Sequence, residues 1–243
     1  MAGPKIRLYV EQPLASGQAV ALDEARSNYL FAVMRLSAGA DVHLFNGRDG
    51  EWRAEVAEAG KRRGVAVCRA ETAAQGRPPD LWLLFSPVKK ERTNFIVEKA
   101  VELGVARLVP VGTRHMNAER FRADRHALHA AEAAEQCGAT WVPEVQDLRP
   151  LERVLADWPA DRRLFWADEG EAGRAPLLGD LPAEPGPAAV LIGPEGGFSA
   201  EERAMLARLP FVVPFSLGPR ILRAETAAVA ALALWQARFG DWR

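Results

Sequence analysis

The chain is 243 residues long and carries 31 Lys+Arg against 32 Asp+Glu, a formal net charge of −1. Apolar residues make up 49% and charged residues 26%, the balance of a folded protein with a sizeable core, which excludes a disordered tail, a collagen-like repeat or a coiled coil as a description of the whole. The longest apolar runs, such as Ala227–Trp235, fall far short of the roughly 20 residues of a membrane-spanning helix, and Met1-Ala-Gly-Pro-Lys-Ile-Arg lacks the apolar stretch of a secretory signal.

The first predicted elements are strands at Ile6–Val10, Asp41–Phe45, Glu51–Ala57 and Gly64–Arg69, where β-formers cluster between turn residues. Asn46-Gly47-Arg48-Asp49-Gly50 reads as a hairpin turn, because Asn and Gly tolerate positive φ. One helix interrupts the strands at Asp23–Met34, with Asp23 as N-cap and Leu30, Phe31, Val33 and Met34 as its apolar side. Thr72–Pro79 reads as a linker. Beyond it strands and helices alternate, the signature of an α/β domain with a parallel sheet. Strands are predicted at Leu81–Phe85, Ala106–Val111, Arg163–Ala167, Ala188–Ile192 and Phe211–Phe215. Helices are predicted at Arg92–Leu103 (apolar side Phe95, Ile96, Ala100 and Leu103, closed by Gly104), Phe121–Cys137, Ala200–Leu209 and Leu222–Phe239. After Thr226 the last helix is apolar almost all round, so burial on most sides is expected. Asp168–Pro187 reads as a loop.

Two loops carry the chemistry. Leu191-Ile-Gly-Pro-Glu-Gly-Gly-Phe-Ser-Ala-Glu-Glu202 runs from a strand through three glycines into a helix whose Ser199 and Glu202 fit a capping box. It is neither a Walker A loop nor GxGxxG, so a phosphate cradle is disfavoured. Phe215-Ser-Leu-Gly-Pro-Arg-Ile-Leu-Arg-Ala-Glu-Thr226 repeats the design, with Arg220, Arg223 and Glu225 at the mouth of an apolar helix. Either loop alone reads equally as an ordinary turn or an ion-paired helix end. Two at strand ends of one sheet point to a ligand site. Lys89, Lys90 and Arg92 cluster at a helix start, a solvated face or an anion site. His126 and His129 read as surface helix residues, and no metal site is expected. Cys68 and Cys137 stand far apart without CxxC spacing, which fits a reducing cytoplasm. Residues 1–78 hold 11 basic and 9 acidic residues, so the front of the chain is slightly basic.

The two loops and the segment Pro87–Gly104 that carries Lys89, Lys90 and Arg92 together resemble the SPOUT class of S-adenosylmethionine (SAM) methyltransferases, and most closely the bacterial 16S ribosomal RNA uridine-N3 methyltransferase family (RsmE). The resemblance extends over nearly the whole chain. It includes Lys99-Ala-Val-Glu-Leu-Gly104, Glu135-Gln-Cys-Gly138 with Val142-Pro143, and, in the front module, Val33-Met-Arg-Leu36 and Leu44-Phe-Asn-Gly47. The chain departs from the family at Ala139, where a polar residue is usual, and lacks a His near Arg26-Ser27-Asn28. The resemblance implies a PUA-like β-barrel RNA-binding domain over residues 1–74. Over residues 75–243 it implies a parallel-sheet α/β domain with a deep trefoil knot, working as a homodimer in the cytoplasm without a metal or a membrane. It implies SAM held by Ile192, Gly193, Pro194, Glu195, Gly196, Gly197, Ser216, Leu217, Gly218, Ile221, Leu222 and Arg223. Arg223, Arg220, Glu225 and Glu195 are the catalytic candidates, and 16S rRNA of the small ribosomal subunit is the partner. Arg7, Arg26, Arg35, Lys89, Lys90 and Arg92 are the candidates for RNA contact. The rival readings are a non-catalytic RNA-binding assembly factor and a SPOUT enzyme acting on a ribose 2′-oxygen or a transfer-RNA guanine.

Overall fold

The computed structural model describes residues 6–118, 120–171, 175–181 and 186–242. The chain divides into two units. One is the chain up to Arg77 together with Ala131–Val142; the other is Pro78–Ala130 with Pro143–Arg243.

The first unit is a five-stranded sheet of β1 (Arg7–Tyr9), β2 (Ala19–Leu22), β3 (Asp41–Phe45), β4 (Glu51–Glu58) and β5 (Gly64–Ala73), in the order β1-β3-β4-β5-β2. Only the β1–β3 pair is parallel. Period-two alternation turns Val42, Leu44, Ala54, Val56, Ala66 and Cys68 into a core shared with Leu8, Val20 and Leu30. The expected 46–50 turn joins β3 to β4, with Gly47 and Gly50 at φ +80° and +77° and Asn46 Oδ1 accepting from the Asp49 N–H at 2.8 Å.

Three details differ from the sequence reading. Strand β2 was not expected. Strand β5 continues to Ala73, because register shifts against β4 keep the ladder paired as far as Glu51–Ala73. The helix begins as expected, with the Asp23 carboxylate capping the Arg26 N–H, but α1 (Glu24–Ser27) gives way to a π-turn over Asn28–Val33. That widening rotates the apolar side: Leu30 is buried, while Val33 and Met34 stand exposed.

The second unit is a parallel sheet. Its strands are β6 (Leu81–Phe85), β7 (Arg107–Gly112), β8 (Glu144–Val145), β9 (Arg149–Pro150), β10 (Arg163–Ala167), β11 (Ala188–Ile192) and β12 (Val212–Phe215). The order is β12-β10-β11-β6-β7-β8, with β9 also on β7. The central β11 is buried at all five residues, which is why it reads as an unbroken apolar run. The helices are α2 (Lys90–Glu102), α3 (Ala123–Cys137), α4 (Leu151–Ala156), α5 (Ala200–Leu206) and α6 (Ala224–Phe239). The short β8, β9 and α4 were not expected.

Helix α2 ends as expected at Gly104, which sits at φ +72° while the Val105 N–H reaches back to Ala100 O at 3.0 Å. Its buried side is Thr93, Ile96, Val97, Ala100 and Val101. Phe95, expected inside, is exposed under the Lys99 ammonium. His126, expected on the surface, is buried and stacked on Phe121 at 4.2 Å, its Nδ1 2.8 Å from Arg122 O. Helix α6 buries one stripe, Ala227, Ala228, Ala231, Leu232, Trp235 and Phe239. The expectation of burial on most sides fails within this chain, since Leu234 and Ala237 are exposed and Ala230 and Ala233 half-exposed.

Candidate active site

In a parallel sheet the carboxyl ends of all strands share one edge, and ligands bind in crevices there. Both glycine loops leave that edge, one after β11 and one after β12. Gly193 lies so close to Phe198 that a Cβ there would stand 2.7 Å from the ring, and Phe198 is itself packed edge-on against Trp166. Gly197, at φ +67°, closes the turn with its N–H on Pro194 O at 2.9 Å. The capping box forms as expected: Ser199 Oγ accepts from the Glu202 N–H at 3.2 Å, and Glu202 Oε2 accepts from the Ser199 N–H at 2.8 Å. The other Glu202 oxygen accepts from the Arg114 N–H at 2.8 Å, which ties the loop after β7 to α5. In the second loop Ser216 Oγ accepts from the Gly218 N–H at 3.1 Å, and Gly218 takes φ +102°.

The loops enclose a hollow of about 410 Å³. Ile192, Gly193, Pro194, Glu195 and Gly197 line it from one loop, and Leu217, Gly218, Arg220, Ile221, Leu222 and Arg223 from the other. Two expected contacts stand behind the lining. The Gly196 backbone turns toward His115, whose Nδ1 lies 3.1 Å from Gly196 O, and Ser216 is buried, its Oγ holding the N–H of Gly218, which borders the hollow.

A third wall was missed. Ala167, the last residue of β10, and Asp168 and Glu169 just after it line the same hollow. Asp168 is buried, accepting from Arg203 Nη1 at 2.6 Å and the Gly170 N–H at 3.0 Å, and Glu169 Oε1 accepts from the Phe198 N–H at 3.3 Å. Two carboxylates directly after an apolar strand were the available signal, had the Asp168–Pro187 loop been weighed like the glycine loops.

Arg92 corrects another expectation. It does not stand with Lys89 and Lys90. It lines this hollow and is ion-paired with Glu195 and with Glu225 Oε1, the latter at 3.5 Å. One cation thus joins the two glycine loops. Glu225 Oε2 is buried without a hydrogen-bond partner, so a free acceptor remains at the mouth of α6. Arg220 and Arg223 are exposed at the rim and carry no ion pair with any described residue.

Arg7 is held within its own unit. Its side chain is 8% exposed and every nitrogen has a partner: Nε on Glu51 Oε2 at 2.5 Å, Nη1 on Ala134 O and Glu135 O at 2.5 and 2.9 Å, and Nη2 on Ala139 O at 2.7 Å. It closes the carboxyl end of α3 with four of its five N–H donors engaged inside its own unit. Position 139 takes part through its backbone carbonyl, a role that does not depend on its side chain. Arg26 is half-exposed, with Nε on Tyr9 O at 2.9 Å and an ion pair to Asp23. Arg35 is exposed at φ +58°, where a Leu36 N–H to Leu30 O bond of 2.9 Å closes the helix. Lys89 and Lys90 line a second hollow, described below.

With this geometry in place, the chain belongs to the family of RNA methyltransferase domains, whose profile matches residues 76–236. The profile of the RNA methyltransferase PUA domain matches residues 22–67. Among curated relatives, the Ribosomal RNA small subunit methyltransferase E of Rickettsia conorii is 27% identical over 229 residues, 93% of each chain. The protein of the same name from Buchnera aphidicola subsp. Schizaphis graminum is 28% identical over 246 residues, 97% of each chain. Among solved structures, Ribosomal RNA small subunit methyltransferase E from Neisseria gonorrhoeae bound to S-adenosyl methionine superposes with a TM-score of 0.89 at 28% identity, covering 99% of this chain and 100% of that one. A protein from Legionella pneumophila in complex with SAM gives 0.89 at 29% identity, covering 98% and 99%.

Proposed function

We propose that the protein is a SAM-dependent methyltransferase acting on N3 of a uridine in 16S rRNA of the small ribosomal subunit. The observation that carries this reading is the hollow between the two glycine loops, with two unpaired arginines at its rim and the Arg92 guanidinium in its wall, itself ion-paired with Glu195 and Glu225. A volume of about 410 Å³ suits a cofactor of nucleoside size. Nothing lies within 4 Å of where a Gly218 Cβ would stand, so its backbone is open to a ligand.

When bound, SAM supplies an electrophilic methyl group on a sulfonium that leaves as a neutral thioether. Ile192, Leu217, Ile221 and Leu222 offer apolar surface that excludes water, and the backbone at Gly193 and Gly218 offers hydrogen bonds. Uracil N3 carries a proton that must leave before the nitrogen is a good nucleophile. Glu225 Oε2 is the acceptor we assign to it. Arg223, with Arg220, stabilises the negative charge spread over uracil O2 and O4. Arg92 and Glu195 position Glu225 and close the two loops on each other. Because N3 lies on the pairing edge, the target must be unpaired or turned out of its stack. Arg26 and Arg35 remain candidates for RNA contact in the front domain.

Two further parts of the reading concern assembly. The half-exposed apolar stripe of α6 supports a homodimer packed on that face. The strand order, with β11 between the earlier β6 and β10, is compatible with the trefoil knot that the resemblance implies. The reading places the protein in the cytoplasm with its substrate; no described helix is long and apolar enough to cross a membrane.

The test is incubation with labelled SAM and small subunits lacking uridine-N3 methylation, followed by nucleoside mass spectrometry. The expected product is 3-methyluridine. Arg223→Ala is expected to lower turnover by about 10²-fold with unchanged SAM affinity. SAM binding without label transfer would assign the enzyme another substrate. Neither binding nor transfer would leave a non-catalytic RNA-binding protein.

A further inference from the structure

A second hollow of about 480 Å³ lies in the C-terminal unit, past the carboxyl ends of β6 and β7. Its walls are the first turn of α2 and the residues that lead into α3. Five cationic side chains line it, Lys89, Lys90, Arg120, Arg122 and Arg125, and no described lining residue is a carboxylate. Arg122 alone is paired, its Nη2 2.6 Å from Asp124 Oδ2. The other four have no ion pair with any described residue. Asn94 and Asn117 also line it, their amides unbonded to any described residue, whereas the Thr93 hydroxyl is engaged by Val88.

Four unpaired cations in one concavity repel one another, and nothing in the chain's overall charge of −1 demands such a cluster. What lowers that energy is a polyanion, with release of its counterions. The free N–H groups at the start of α2 add to the same potential. The position is informative as well. Lys90 and Asn94, one turn apart, line this hollow, while Arg92, on the other side of the helix, lines the cofactor hollow. One helix, about 10 Å across, separates the two, so neighbouring nucleotides of one extended strand span them.

We infer that this hollow is the docking groove for the sugar-phosphate backbone of the RNA strand flanking the target nucleotide. Lys89, Lys90, Arg120 and Arg125 contact phosphates, and Asn94 and Asn117 donate to phosphate or ribose oxygens. These contacts set position and register and carry no sequence information of their own. The inference rests on the rRNA methyltransferase reading and deepens it.

The test is the double variant Arg120→Gln/Arg125→Gln, beside the control Arg153→Gln/Arg208→Gln, which removes the same charge from exposed positions outside the groove. Two readouts are taken: KM for small subunits, and the salt dependence of affinity for a single-stranded RNA oligonucleotide. Losing two single-strand phosphate contacts is expected to lower the log–log salt slope by about 1.4 and the affinity by about tenfold. KM for subunits is expected to rise in parallel, with SAM affinity and Tm as in the unsubstituted protein, and the control is expected to change none of these. An unchanged slope and KM in the groove variant, or an equal loss in the control, would overturn the groove. If the unsubstituted protein methylates no subunits, the functional reading has failed, and the oligonucleotide slope still decides the groove by itself.

Discussion

At the scale of single residues, Arg7 and Glu51 show how one buried pair organises the front domain. Glu51 is buried in β4 and accepts from Arg7, from Thr72 Oγ1 at 2.8 Å, and lies 2.9 Å from His43 Nδ1. Burial pushes its pKa up, but the hydrogen bonds from Arg7 and Thr72 outweigh it and hold the group below its ordinary 4.5. Truncating Arg7 strips the buried carboxylate of its guanidinium partner and removes a donor from the Ala134, Glu135 and Ala139 carbonyls. Arg7→Ala is expected to cost about 3–5 kcal/mol in urea unfolding, and Arg7→Lys to recover little, because one ammonium cannot reproduce the guanidinium fork.

Glu135 is the opposite case. It accepts from the Tyr9 N–H at 2.8 Å, yet burial dominates and raises its pKa. A lowered folded pKa contributes stability above the unfolded value that is lost as pH falls through the folded one. A raised folded pKa contributes stability below the unfolded value that is lost as pH rises through the folded one. Stability measured across the carboxylate range is therefore expected to fall less steeply with acid in Glu51→Gln than in the parent. In Glu135→Gln it is expected to fall more steeply. Equal slopes in all three proteins would refute both assignments.

At the scale of elements, the strand-to-helix turn after β11 depends on absence of bulk. Phe198 is fixed between Gly193 and Trp166, so a methyl group at 193 has no space to enter. Gly193→Ala is expected to displace the loop, destabilise the protein by about 1–3 kcal/mol and weaken SAM binding in calorimetric titration. Retained affinity would show that the loop absorbs the strain away from the hollow. Helix α6 illustrates a different point: its buried stripe packs on its own chain, while its other side keeps Leu234 exposed. A stripe of alanines and one leucine is little surface to leave in water and suits close approach of a second helix.

At the scale of the whole molecule, the strand order decides function. Strands β10, β11 and β12 are adjacent, so the three loops that follow them meet around one hollow, and β6 and β7 lie to the other side with the basic groove beyond their ends. If α6 forms the contact between two copies, Leu234→Glu is expected to give a monomer in analytical ultracentrifugation. An unchanged sedimentation coefficient would move the interface elsewhere.

Local patterns determined the elements whose physics is local. The 46–50 turn, the Asp23 cap, the Ser199–Glu202 box, the Gly104 helix end and the apolar run of β11 each depend on residues within a few positions of one another. The two glycine loops were legible for the same reason, as was the resemblance they carry. What only the tertiary structure decided is which distant groups meet. Arg92 reads as one of three basic residues at a helix start, and only the packing of α2 beside both loops pairs it with Glu195 and Glu225. Arg7 reads as a candidate for RNA contact until the carbonyls of Ala134, Glu135 and Ala139 are brought to it. Asp168 and Glu169 belong to the site only because β10 neighbours β11 and β12. The free energy of a buried charge is set by partners remote in sequence, and no local pattern encodes them.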